Sequence, residues 1–189
     1  MKKPIFTIGH GSRKAEVFLS LLKDYGIYYL VDVRSVPFSR FHPQFSRNNL
    51  EQLLEKNGIR YVWMGDTLGG RPKDPTCYGE DGRIDYELVK KKDFFLTGIE
   101  RLKTAYEKEL DIAIMCSESK PQECHRTLLI GEVLSAEGIT LKHIDETGFI
   151  KENTVIEKTQ MPKDNSDDVY SPGDLFSDLL DLGSEIDFD

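Results

Sequence analysis

Ile27-Tyr28-Tyr29-Leu30-Val31-Asp32-Val33, with Arg34 behind it, is the stretch that decides the fold. It carries no helical period and is rich in β-branched and aromatic residues. A strand buried on both faces has this pattern, and such strands belong to parallel sheets covered by helical crossovers. On the N-terminal side, Val17, Phe18, Leu21, Leu22 and Tyr25 recur at helical spacing up to Gly26, a helix terminator. Ser12 is the expected cap of that helix, beginning near Arg13, and Ile5-Phe6-Thr7-Ile8 is a strand ended by Gly9-His10-Gly11. On the C-terminal side, a helix on Leu50, Leu53 and Leu54 stops at Gly58 and leads to a strand over Arg60–Met64. A long helix around Leu88–Tyr106 leads to a strand over Asp111–Cys116. A helix over Arg126–Glu137, closed by Gly138, leads to a strand over Ile139–Ile144. Strands alternating with helices predict an α/β domain with a mostly parallel sheet and helices on both faces, a three-layer arrangement.

Charge divides the chain in two. Residues 160–189 hold one Lys against nine acids, which accounts for the whole net charge of -8. The expected organisation is an α/β domain over residues 1–158 and an acidic tail over 159–189, with the tail expected to be disordered. A neutral domain leaves room for an anionic ligand that the overall pI would seem to forbid. Leu175, Phe176, Leu179, Leu180 and Leu182, set among acids at helical spacing, make the tail a candidate partner-docking segment as well. The chain has no apolar run of membrane-spanning length, and Met1–His10 does not resemble a signal peptide. No membrane association and a cytoplasmic location are therefore expected. Three cysteines in a chain of this size suggest free thiols in a reducing compartment, not a disulfide framework.

In a sheet of this kind ligands bind beyond the carboxyl ends of the strands, and there the reactive residue types collect. His10 follows the first strand. Arg34, Ser39 and Arg40 follow the second, with Asp32 at its end. Gly69 and Gly70 lie in a Gly/Pro-rich stretch over residues 65–84, a length typical of a lid or binding loop. Cys116, Glu118, Cys124, His125 and Arg126 follow the fourth strand. A cysteine between a buried strand and a helix start, near an arginine and a histidine, is where a thiolate is stabilised. Cys116, His10, Glu118 and His125 are thus the catalytic candidates, and Arg34, Ser39, Arg40, Gly69, Gly70, Cys124 and Arg126 the ligand-binding ones. No cofactor is expected. Cys116, Cys124, His125 and His10 are four suitable metal ligands by type, but the spacing is unlike structural zinc pairs, and adjacent Cys124 and His125 rarely both face one ion.

Thr7-Ile8-Gly9-His10, Val31-Asp32-Val33-Arg34 with Pro37 and Ser39, Phe45, Tyr61, Leu68-Gly69-Gly70, Met115-Cys116-Ser117-Glu118 and Cys124-His125-Arg126 together resemble the family called domain of unknown function 488. The resemblance covers most of residues 4–150 and implies the region of the site without a reaction. A second, weaker resemblance is to rhodanese-like domains, which belong with Rossmann and flavodoxin folds among three-layer α/β proteins. It rests on Asp32-Val33-Arg34 followed by Cys116. The ten-residue step from Cys116 to Arg126 is longer than the compact anion loop of rhodaneses and cysteine phosphatases.

Three functions compete at this point. The first is a cysteine-dependent transferase or hydrolase acting on a small anionic or nucleotide-like ligand, with His10 or His125 as base and Arg34 and Arg126 as anion holders. The second is a nucleic-acid-binding module with Arg34, Arg40, Arg47, Arg71 and Lys73 as a basic rim, which the acidic tail would autoinhibit. The third is an adaptor that docks a tail-binding protein.

Overall fold

The computed structural model describes residues 2–152. The acidic tail and the expected domain end at residue 158 lie outside the described residues.

Six strands form one sheet in the order β3-β2-β4-β1-β5-β6, where β1 is Ile5–Gly9, β2 Tyr29–Asp32, β3 Arg60–Trp63, β4 Ile112–Cys116, β5 Leu141–Ile144 and β6 Ile150–Glu152. The first five are parallel, as their apolar runs predict. The sixth pairs antiparallel with β5 through a turn at Asp145–Gly148, where Asp145 accepts from the amides of Thr147 and Phe149. A strand this short carries no period of its own and was not foreseen.

Side chains alternate across the sheet. Ile112, Ile114 and Cys116 enter one core with Phe95, Ile99 and Leu102 of helix α5 (Asp93–Glu107) and Leu134 of α6 (Glu132–Ala136). Ala113 and Met115 enter the other core, with Phe18 and Leu22 of α1 (Ala15–Asp24) and Leu50 and Leu54 of α2 (Arg47–Glu55). Helices therefore cover both faces of a mostly parallel sheet, and the three-layer α/β expectation holds.

Several boundaries differ from the sequence reading. Helix α1 begins two residues beyond Arg13, with Lys14 and not Ser12 at its N-cap, because a turn closed by Arg13 N–H to His10 O comes first. The long helix is broken into α4 (Tyr86–Val89), capped by the Asp85 side chain, and α5. Residues Arg126–Gly131 form a π-helical turn before α6. The Gly/Pro-rich stretch is partly regular. It opens with α3 (Gly65–Leu68) and a 3₁₀ turn at Pro75–Cys77, and it buries Leu68 and Cys77 in the first core. Among the described residues, no helix is long and apolar enough to cross a membrane.

The strand order creates the cleft. The chain leaves β1 and β2 toward the α1/α2 face, and leaves β4 toward the α6 face. Since β4 lies between β1 and β2, the loops after these three neighbours diverge at one point, the topological switch of an open α/β sheet.

Candidate functional site

The pleat sorts the residues of this switch point into two groups. Gly9 is in register with Cys116, and Asp32 with Met115. Cys116 therefore enters the α5/α6 face, while Asp32 and His10 belong to the α1/α2 face.

The first group is a pair of thiols around a buried arginine. Cys116 and Cys124 are both buried, with their sulfurs 2.8 Å apart. Arg126 is 0 % exposed, and its Nη1 donates to Cys116 Sγ at 2.8 Å and to the Glu118 carbonyl at 2.7 Å, while Nη2 donates to Ser119 O at 3.2 Å. Its Nε is buried with no partner among the described residues. The Glu118 carboxylate turns away to accept from Cys124 Sγ at 3.1 Å. Burial would raise that carboxyl, but hydrogen bonds from the thiols outweigh it and hold the group below its ordinary value. Burial, and next the neighbouring Cys116 sulfur, push the Cys124 thiol far up, so Cys124 keeps its proton.

His125 joins this group. Its Nε2 lies 3.2 Å from the Val33 carbonyl, which can only accept, so the ring proton sits there and Nδ1 faces Cys124 Sγ at 3.6 Å. Burial lowers the pKa of His125, with the Glu118 charge opposing. Gly70 is packed against the ring, since a Cβ at that position would lie 2.9 Å from His125 Cγ. Gly9 is needed for the same reason on the other side. A Cβ there would fall 1.6 Å from the Glu118 carbonyl oxygen and 2.5 Å from Arg126 Nη1.

The second group is built on an ion pair. Arg34, 5 % exposed, grips Asp32 with Nε to Oδ1 at 2.9 Å and Nη2 to Oδ2 at 2.6 Å, and Nη2 also donates to Phe45 O at 2.8 Å. Tyr61 adds its hydroxyl to Asp32 Oδ2 at 2.7 Å. His10 stacks on Phe45 with ring centroids 4.5 Å apart, donates Nδ1–H to Gly11 O, and offers Nε2 to Arg34 Nη1 at 3.4 Å. Burial, set against the Gly11 hydrogen bond, lowers the pKa of His10 to about 4, so the ring is neutral near pH 7.

The remaining candidates are more scattered. Ser39 braces its own loop, accepting from His42 N–H, and Arg40 is exposed. Gly69 abuts Gly65 O and Ser35 Oγ and so shapes the loop beside Gly70. Cys116, His125 and His10 are not gathered as one metal set, because both nitrogens of His10 are engaged on the opposite face. Among the described residues, the cluster with metal-ligand chemistry is Cys116, Glu118 and Cys124, whose ligand atoms lie within 4.8 Å of one another.

Sequence reading missed two members. Arg13 reaches back from the turn after β1 to donate to the Gly9 and Asp145 carbonyls, and its nearness to Arg126 helps lower its pKa after burial. Its position four residues after Gly9 was the available signal. Tyr86, whose pKa is raised to about 12 by burial and then by Cys124 and Glu118, lies beside the thiols, and nothing in the sequence foretold it.

The family model described as domain of unknown function DUF488 matches residues 14–133, a span that includes every residue of the site except Gly9, His10, Gly11 and Arg13. No curated protein and no solved structure matches the chain.

Proposed function

Because this chain belongs to the DUF488 family, whose description assigns no reaction, we propose a function from the geometry of its own site: a cysteine-dependent enzyme in which Cys116 is the nucleophile acting on a small anionic ligand. One observation carries this reading. Arg126 is a fully buried guanidinium that takes part in no ion pair with a carboxylate among the described residues, and its Nη1 rests on Cys116 Sγ. A buried charge without a counter-charge costs several kcal/mol, on the order of 3–5, when its partner is removed. The sulfur is the group placed to supply that counter-charge, which makes it the nucleophile. The unpartnered Arg126 Nε–H supports an anionic ligand, and Nδ1 of His125, facing Cys124, supports His125 over His10 as the proton acceptor. With both sulfurs buried, the ligand is small or enters as the Glu118–Ser119 loop lifts.

Thiolate ultraviolet absorbance of the full chain at neutral pH tests this. One thiolate is expected in the wild type and none in Cys116→Ala, and iodoacetamide should consume Cys116 faster than free cysteine. A wild type without thiolate absorbance removes the proposal.

A specific observation also favours a nucleic-acid reading. Phe38 and Phe41 are 70 % and 86 % exposed, with exposed Arg40 between them in the loop after β2. Aromatic rings flanking a cation suit stacking on single-stranded bases, worth about 1–3 kcal/mol per base. Arg34 does not contribute to such a rim, being buried on Asp32. Single-stranded RNA binding at low salt by the chain lacking residues 160–189, weakened at least tenfold by Phe38→Ala with Phe41→Ala, is the expected result. Undiminished binding by that double variant counts against this surface.

A further inference from the structure

Cys116 and Cys124 differ in what holds them. Arg126 Nη1 and the Arg126 backbone N–H lie against Cys116 and Cys124 respectively, but only Cys116 receives the guanidinium, while Cys124 points its proton at the Glu118 carboxylate. One sulfur faces a cation and the other a carboxylate, side by side. Their 2.8 Å separation is shorter than the roughly 3.8 Å that two thiolates keep when bound 2.3 Å from one tetrahedral zinc-like ion. It is within an ångström of the bond of about 2.0 Å that a disulfide needs. A cation, Arg126, already lies against Cys116. Cys77, the third cysteine, is buried in the same core and makes no contact of this kind among the described residues.

We propose that Cys116 and Cys124 are a redox-active dithiol which reduces a small peroxide and closes to an intramolecular disulfide, with Cys124 as the resolving thiol. The inference rests on the reading of Cys116 as the ionised nucleophile, takes an uncharged peroxide in place of the anionic ligand, and adds the second half-reaction. The peroxide is favoured among electrophiles by size, because both sulfurs are buried beneath the Glu118–Ser119 loop. Cys116 sulfur attacks one peroxide oxygen. The S–O bond forms, the O–O bond breaks, and the leaving hydroxide takes the Cys124 proton to become water. Sulfur loses two electrons and the peroxide gains them. The Cys124 thiolate then attacks Cys116 sulfur, the S–S bond forms, and the S–O bond breaks, releasing hydroxide that takes a proton from solvent as the second water. An external dithiol restores both thiols, becoming a disulfide itself.

The full chain is treated with stoichiometric hydrogen peroxide, alkylated and examined by peptide mass spectrometry. The expected product is a single peptide holding Cys116 and Cys124, lighter by two hydrogens and unalkylated, with Cys77 still reduced and dithiothreitol restoring two alkylatable thiols. Cys124→Ser should stop at a sulfenic acid on Cys116 that dimedone traps, and Cys116→Ser should give neither product. Over-oxidised Cys116 beside unmodified Cys124 in the wild type overturns the dithiol, as does a metal that copurifies with the chain and is released when both thiols are alkylated. If thiolate absorbance persists in either case, the nucleophile reading stands and only the redox inference fails. If that absorbance is missing too, both fail.

Discussion

Two arginines sit at the same strand edge, both buried, and are held by opposite kinds of partner. Arg34 is closed by the bidentate carboxylate of Asp32, itself supported by Tyr61, and by a backbone carbonyl. Arg126 has two carbonyls and a sulfur, and its Nε has no partner among the described residues. Both oxygens of the Asp32 carboxylate face the guanidinium, so its charge is committed to Arg34. A sulfur can be a counter-charge and can also form a bond. The difference teaches that burial of an arginine says little about function until its counter-charge is known. On the α1/α2 face the buried arginine is met by a carboxylate, and on the α5/α6 face by a sulfur.

The comparison predicts unequal damage. Arg34→Met should cost about 3–5 kcal/mol in urea unfolding, because it strands the Asp32 carboxylate in the core. A loss under about 1 kcal/mol would mean that Asp32 is not committed to Arg34.

Acid should reach the α1/α2 face through His10. The unfolded chain binds a proton at the ordinary value near 6.5, while the folded site resists it until about 4. Stability from this group is complete above pH 6.5 and falls as the pH drops through that window, by up to about 3 kcal/mol. Urea midpoints measured from pH 7 to pH 4 should show a slope that His10→Gln flattens; an unchanged slope would assign the acid sensitivity elsewhere.

Arg126→Met should cost less than Arg34→Met, about 1–3 kcal/mol, since it leaves a sulfur and two carbonyls without a donor and no stranded carboxylate. It should also abolish the thiolate absorbance. Equal losses for the two arginine variants would break the distinction. Gly70→Ala should cost about 1–3 kcal/mol, because its Cβ meets Cγ and Nδ1 of His125, a ring held by the Val33 carbonyl. The informative readout there is the alkylation rate of Cys124, which should rise as His125 is displaced.

Much of this was legible in the chain. The runs at Ile27–Val33 and Asp111–Cys116 are apolar on both faces, and only helices on both sides can bury them, so the parallel three-layer sheet follows from local pattern. The placement of Cys116, Arg34 and His10 at the carboxyl edge follows from the same alternation. Less visible were the π-helical turn at Arg126–Gly131 and the break between α4 and α5, because periodicity averages over such local departures. The basic rim was the least legible feature. Arg34 and Arg40 are six residues apart and alike in type, yet one is buried on Asp32 and the other is exposed.

The sequence by itself determined the sheet, its two helical layers and the edge at which reactive residues gather, since these depend on periodicity that each segment carries alone. Only the tertiary structure decided that Cys116 meets Cys124 and Arg126, while His10 meets Arg34 and Phe45 on the other face. The physical reason is the pleat. One residue of register along a strand sends a side chain to the opposite core, and which strands stand side by side is set by long-range packing that no local stretch encodes.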